Sequence, residues 1–84
     1  MAVGARASIR LKLSSDKHVT TVLDALTLEA KTPASRRARV DLQREGLFLL
    51  LTVEAEDTVA LRSTLNAYLR WISSTLSVLD AVKS

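Results

Sequence analysis

Few side chains in this sequence have the type and spacing that catalysis requires. The only histidine, His18, lies in the first turn of a predicted helix with no cysteine or paired carboxylate near it. A histidine that acts as a general base needs partner side chains within hydrogen-bond reach. Because none is indicated here, we expect His18 to be a solvated surface residue. The carboxylates Glu54, Glu56 and Asp57 cluster where a predicted strand meets a predicted helix. They offer few converging oxygens for a metal ion, and Asp57 is better explained as a helix cap.

The sequence also lacks the short motifs that mark common enzymes and metal sites. It contains no GxxxxGK[ST], GxGxxG, CxxC or HExxH pattern, so no phosphate loop, dinucleotide fingerprint or zinc helix is indicated. With no cysteine there is no disulfide and no thiolate ligand. We therefore predict that the chain is not an enzyme and that it holds no metal and no cofactor.

Arginine and lysine are the more informative residues. Several of them fall on one face or rim of two predicted strands, and such an array is what sequence-independent contact with phosphates requires. The alternative is a solvated strand face whose charges prevent edge-to-edge aggregation, and the sequence leaves both interpretations open. The absence of a GXXG loop and of an aromatic pair on the sheet argues against independent, sequence-specific RNA recognition. The candidate phosphate contacts are Arg6, Arg10, Lys12, Arg36, Arg37 and Arg39, with Arg44 beside them.

Length and composition indicate a single small domain over residues 1–84. Hydrophobic residues make up 48% of the chain, which is enough for a core. Twelve Lys and Arg against nine Asp and Glu give a formal net charge of +3, which permits nucleic-acid contact without requiring it. No signal peptide is indicated, and the longest apolar run, residues 47–51, is too short for a membrane span. We expect a cytoplasmic protein that gains stability by oligomerising.

Hydrophobic periodicity places five elements along the chain. Strict alternation predicts strands at residues 5–13, 35–43 and 47–55, whereas helical spacing predicts helices at residues 16–29 and 58–83. The first helix follows three candidate caps, Ser14, Ser15 and Asp16, and Pro33 closes it. The last two strands are joined by a tight turn at Arg44, Glu45 and Gly46.

The order of these elements predicts an α+β fold with β-α-β-β-α connectivity. The third strand is apolar on both faces, because Phe48 and Leu50 alternate with other apolar residues, and such a strand is usually central. A right-handed crossover makes the first two strands parallel. We therefore predict a three-stranded antiparallel sheet of order 1-3-2, with both helices on one face and a long C-terminal helix.

The C-terminal helix has more apolar surface than one sheet can cover. Its main stripe contains Leu61, Leu65, Tyr68, Leu69, Ile72, Leu76 and Leu79. A second stripe contains Ala60, Thr64, Ala67, Trp71, Thr75, Val78 and Val82. A surface helix needs an apolar arc of a little over 100°, so the second stripe requires another helix. Trp71 either packs on the first helix or anchors an interface, as tryptophan often does.

At this point the residues resemble a known family. The connectivity, with the sequence LRSTLNAYLRWISSTLSVL, is similar to the Pcc-type small subunit of the KEOPS complex (the CTAG/Pcc family). The most specific part runs over residues 55–79, with its acidic start at Asp57, the Leu61-Arg62 pair, Asn66 and the Tyr68-Leu69 step. The resemblance covers nearly the whole chain, although the family's Pro-Glu after the first helix is not clear here.

The resemblance implies a non-catalytic dimerisation subunit of archaeal type. Such subunits bind the catalytic subunit of KEOPS, a carbamoyl-transferring protein with an ATPase fold, and the complex installs threonylcarbamoyladenosine on tRNA beside the anticodon. The subunit would then act on tRNA either indirectly or through the basic residues named above. A homodimer interface would include Ile9, Phe48 and Leu50. The surface for the catalytic subunit would include Leu28, Arg62, Ala67, Arg70, Trp71, Thr75, Val78 and Val82.

Two other identities stay open from the sequence. One is an autonomous RNA-binding domain of KH-like topology that uses its basic sheet face. The other is a paralogous KEOPS small subunit that forms a heterodimer.

Overall fold

The computed structural model describes residues 2–31 and 37–83, and the side chains of residues 2–27 and 37–78. The predictions made for Leu28, Arg36 and Val82 therefore lie outside the described side chains. Five elements follow one another in the order β-α-β-β-α, as predicted. They are β1 (Ala5–Lys12), α1 (Asp16–Lys31), β2 (Ala38–Glu45), β3 (Phe48–Ala55) and α2 (Thr58–Lys83).

The three strands form one antiparallel sheet in the order β1-β3-β2. The sheet order and the α+β class are confirmed. The central strand β3 buries Leu49, Leu51 and Val53 on the side that faces the helices. Helix α1 lies mainly over β2, and α2 lies mainly over β3 and β1. The core contains side chains of both helices against this single sheet face, among them Val19, Val22, Leu26, Tyr68 and Ile72.

The hairpin between β2 and β3 is tighter than predicted. Arg44 and Glu45 belong to the end of β2, and only Gly46 and Leu47 form the turn. Gly46 has a positive φ of 58° and Leu47 does not, which is the pattern of a type II′ hairpin turn. Strand β3 consequently starts at Phe48, and Leu47 is exposed. The prediction that Leu47 begins the strand and that Arg44 turns the chain was wrong, because the ladder extends to the Glu45–Phe48 pair.

Helix α1 begins with a serine cap, and its histidine, which contacts this cap, is buried. The Ser15 hydroxyl accepts a hydrogen bond from the backbone N–H of His18 and shares a second with Nδ1 of the same residue. His18 is only 6% exposed, so the prediction of a solvated surface residue was wrong. The physical reason is its spacing: His18, Val22 and Leu26 lie four residues apart and form one line along the buried side of the helix.

Helix α2 begins at a cap that was predicted. The Asp57 carboxylate accepts a hydrogen bond from the backbone N–H of Ala60 at 2.8 Å, and the Asp57 carbonyl accepts one from Leu61. The bond from Ala60 holds the pKa of Asp57 below its usual value, and the charge of Arg37 acts in the same direction against partial desolvation. Asp57 is therefore ionised across the physiological range.

The backbone at Gly4, just before β1, lies very close to Glu56, the residue that precedes the Asp57 cap. The Gly4 amide donates to the Ala55 carbonyl at 2.9 Å. A Cβ built on Gly4 would collide with the carbonyl oxygen of Glu56. A glycine is required here because only a residue without a side chain allows this close approach.

The molecule is elongated along α2, with dimensions of 44 × 21 × 19 Å. A helix of 26 residues is about 39 Å long, whereas a strand of eight residues spans only about 27 Å. The three strands are all of that length. Helix α2 is therefore longer than the sheet that it covers.

Candidate interaction surfaces

The main apolar stripe of α2 faces the core. Tyr68 and Ile72 are buried, while Leu61, Leu65 and Leu76 are half-buried and pack against the core cluster. These side chains therefore hold the helix on the sheet. They do not form a free surface.

The second stripe leaves large apolar side chains in solvent. Trp71 is 38% exposed and Val78 is 60% exposed. The Trp71 ring meets Tyr68 edge-on, with centroids 5.1 Å apart and an interplanar angle of 70°. Ala67 and Thr75, which flank Trp71 along the helix, are half-buried. We call Ala67, Trp71, Thr75 and Val78 the Trp71 flank.

The two arginines of α2 lie on a different arc of the helix. Arg62 and Arg70 are exposed together with Ser63, Asn66 and Ser73, and these five residues form what we call the polar arc. A shallow depression on the helix is lined by Ser63, Asn66, Leu69, Arg70 and Ser73. At about 100° per residue, Arg70 points about 100° away from Trp71. Arg62 and Arg70, which were grouped with the candidate contacts to the catalytic subunit, therefore lie on the polar side of α2 and apart from the apolar residues of that group.

The sheet face opposite the helices is polar around an apolar centre. Its central strand contributes Phe48, Leu50, Thr52 and Glu54, which are all half-buried. The flanking strands add four cationic and two anionic side chains, so that with Glu54 the face carries four cations and three anions in cross-strand rows. The cations are Arg6, Arg10, Lys12 and Arg39, and the anions are Asp41, Glu45 and Glu54. This open sheet face is therefore far less basic than the arginine positions alone suggested.

Most arginines that were predicted to contact phosphate have carboxylate partners. Arg10 pairs with Glu45 at 3.6 Å across the sheet, and Arg39 pairs with Glu54 at 3.6 Å. These pairs form because the register places opposite charges in the same or adjacent rows.

Arg6 and Lys12 form no ion pair among the described side chains. Two other arginines of this group join separate elements. Arg37 pairs with Glu56 at 3.4 Å and with the cap Asp57. Arg44 pairs with Asp16 and donates to the Thr20 hydroxyl at 2.9 Å. The expectation that Arg44 extends the basic face was wrong, since its side chain projects to the helix side of β2 and ties the hairpin to α1.

The residues predicted to form a dimer interface do not share one surface. Phe48 and Leu50 lie on the open sheet face, and the Arg10 guanidinium covers the Phe48 ring at 4.0 Å from its centroid. Ile9 pairs with the buried Leu51 and lies on the helix side of β1. Both β1 and β2 are edge strands. A partner strand at the β1 edge could therefore contact Ile9 without contacting the Phe48 ring.

Comparison with known proteins assigns the family. The family model described as "Transcription factor Pcc1" matches residues 6–80. The chain belongs to the Pcc1 family. A curated relative, "KEOPS complex subunit Pcc1" of Pyrococcus abyssi, is 36% identical over 75 residues, which cover 89% of this chain and 92% of the relative.

The fold of this Pcc1-family chain also matches a solved structure. A chain in the "Crystal structure of binary complex Gon7-Pcc1" superposes with a TM-score of 0.81. The alignment covers 96% of this chain and 99% of that chain, at 13% identity. At this identity the similarity concerns the fold.

No metal-binding cluster accompanies this Pcc1-family fold in the part of the chain that the structure describes. No group of three or more His, Asp or Glu side chains there is arranged to hold a metal ion. Among the described residues, none of the helices is both long and apolar enough to cross a membrane.

Sequence reasoning missed three features of these surfaces. It did not find the burial of His18, although its four-residue spacing to Val22 was visible. It did not find the pairing of Arg44 with Asp16, which are 28 residues apart and share no local pattern. It also did not single out Val59, which is 70% exposed in the first turn of α2.

Proposed function

We propose that this chain is a non-catalytic scaffold subunit of a KEOPS complex in the cytoplasm. It binds the catalytic subunit that forms threonylcarbamoyladenosine on tRNA. The support from comparison is a relative of nearly the same length that is named as a KEOPS subunit. The observation that carries the proposal is the Trp71 flank, an apolar strip on a helix that already covers its own core.

The Trp71 flank has the properties of a helix-binding surface. Trp71 is held by its edge contact with Tyr68 and still offers 38% of its surface. Val78 lies two helical turns further on and is more exposed. An aromatic anchor with apolar neighbours in a row at helical spacing suits an amphipathic partner helix. The flank continues toward the end of α2, where the helix is longer than the sheet.

Co-purification tests this assignment with a matched pair of substitutions. Val78→Asp places a charge in the flank, whereas Val59→Asp places the same charge at a somewhat more exposed valine in the first turn of α2. We expect Val78→Asp to abolish co-purification with the tagged catalytic subunit of the same organism, and Val59→Asp to retain it. Circular dichroism shows whether both variants fold. Binding by a folded Val78→Asp variant at the wild-type level contradicts the assignment.

We also propose that the chain is a homodimer that uses its sheet. The two edge strands leave backbone donors and acceptors unpaired on β1 and β2, and such edges add strands from another chain. Light scattering on the purified chain should give twice the monomer mass of 9.2 kDa. A monodisperse monomer at tens of micromolar contradicts a homodimer. If the chain then associates with a paralogous small subunit, it is one half of a heterodimer.

A further inference from the structure

Helix α2 and the open sheet face both carry cations that form no ion pair among the described side chains. On the sheet these are Arg6 and Lys12, which share their cross-strand rows with Glu54 and Glu45. On the open sheet face and its rim, Arg10, Arg37 and Arg39 each form an ion pair with a carboxylate. Within the described side chains, no carboxylate forms an ion pair with Arg62 or Arg70. Residues 58–79 contain no Asp or Glu. A polyanion that approaches α2 therefore meets no negative side chain on this part of the helix.

The polar arc is built from groups that donate hydrogen bonds. Arg62, Asn66, Arg70 and Ser73 follow one another at intervals of three or four residues, or about 4.5–6 Å along the helix axis. Ser63 lies beside this row, and the depression on the arc is lined by four of the five residues. Arginine, serine and asparagine side chains are the common ligands of phosphate oxygens in nucleic-acid complexes.

The polar arc also stays exposed when the two other sides of α2 are covered by the sheet and by a partner helix. The core stripe faces the sheet, and the Trp71 flank, which we assign to the catalytic subunit, is about 100° away from Arg70. A helix seated on the flank would leave the arc exposed. Both ligands could therefore bind this helix together.

We propose that the polar arc of α2 binds the phosphate backbone of RNA, with Arg62 and Arg70 as its cationic contacts. That the RNA is a tRNA rests on the function proposed above. The contact is to phosphates and is independent of base sequence, because the arc presents cations and hydroxyls without the aromatic platforms that read single-stranded bases.

Fluorescence anisotropy with labelled, unfractionated tRNA tests the assignment on the full-length chain. The test variant is the double substitution R62Q/R70Q, since glutamine has nearly the helix propensity of arginine. The matched control is R10Q/R39Q, which removes two ion-paired arginines from the sheet. We expect R62Q/R70Q to weaken binding about tenfold or more at low salt and to lower the slope of log K against log salt by about 1.4 to 1.8. R10Q/R39Q should change both quantities much less.

The outcomes separate this proposal from the scaffold function. Co-purification with the catalytic subunit should be unchanged in R62Q/R70Q. If that variant instead loses the catalytic subunit and binds tRNA as the wild type does, the arc is a protein interface and the proposal is overturned. It is also overturned if R10Q/R39Q has the larger effect, or if the wild type shows no tRNA binding at low salt. If R62Q/R70Q binds tRNA with unchanged affinity and still co-purifies with the catalytic subunit, the RNA-binding role of the polar arc is contradicted and the scaffold function is not.

Discussion

Asp57 pairs with Arg37 while it caps helix α2. The Asp57 carboxylate accepts from the backbone N–H of Ala60 at the helix start and forms an ion pair with a side chain 20 residues earlier, just before β2. The Arg37 carbonyl in turn accepts from the Glu56 amide at 2.9 Å. One carboxylate thus joins the beginning of the long helix to the beginning of an edge strand.

This double role predicts a dependence of stability on pH. The folded-state pKa of Asp57 is depressed, so its contribution to folding is fully present above its unfolded value of about 3.9 and is lost as pH falls through the folded-state value. Asp57→Asn should keep part of the cap and reduce the loss of stability between neutral and acid pH. Thermal unfolding of both proteins from pH 7 down to pH 3 measures this. An equally steep loss in both contradicts the prediction.

The cap of helix α1 allows a sharper comparison, because two adjacent serines differ in role. Ser15 accepts from the His18 backbone, whereas Ser14 is exposed and precedes the cap. We expect Ser15→Ala to lower the free energy of unfolding by about 1 kcal/mol. Ser14→Ala should change it by less than about 0.5 kcal/mol. Urea unfolding gives both values. Equal losses of stability in the two variants would contradict the assignment of Ser15 as the cap.

The close approach at Gly4 predicts a backbone clash. Gly4→Ala places a methyl group against the Glu56 carbonyl oxygen, and the strand or the α2 start must shift. Overpacking of this kind costs about 1–3 kcal/mol. Gly46→Asn is a suitable comparison, since the space around Gly46 is open and asparagine tolerates positive φ better than most residues. Chemical denaturation should rank Gly4→Ala as the more destabilising change.

Neighbouring leucines of β3 should differ strongly in their contribution to stability. Leu51 is fully buried against both helices, and Leu50 is half-buried on the open face. Leu51→Ala should lower the free energy of unfolding by about 2–5 kcal/mol. Leu50→Ala should cost about 1 kcal/mol. Both are measured at one protein concentration, because self-association would add to apparent stability. Similar losses would mean that the open face is covered in solution.

The sequence was sufficient for the fold because the relevant signals are local. Alternation placed β1 and β3, and helical spacing placed α1 and α2, with the α2 bounds predicted to the residue. The apolar character of both faces of β3 predicted its central position, which the sheet order confirms. The turn of the hairpin was predicted to start two residues too early, because Glu45 is equally compatible with a turn and with the end of a strand.

The sequence was less informative about the surfaces. It identified Trp71 as a candidate anchor, and the structure shows that its ring is partly exposed against Tyr68. It also grouped Arg62 and Arg70 with that surface, although they lie on another arc. The basic sheet face was predicted from charge positions alone. Its arginines are largely paired once the strands are in register.

The sequence by itself determined the connectivity, the buried face of each element and the family. The reason is that the spacing of apolar residues along the chain shows which side of a strand or helix is buried. Only the tertiary structure decided which charges remain available. Arg10 meets Glu45, Arg37 meets Asp57 and Arg44 meets Asp16 across separations of 20 to 35 residues. Such pairs depend on strand register and side-chain direction between distant segments. No local pattern encodes these pairings, so the sequence alone could not show that Arg10, Arg37 and Arg44 have carboxylate partners. Among the described side chains, Arg62 and Arg70 of α2 have none.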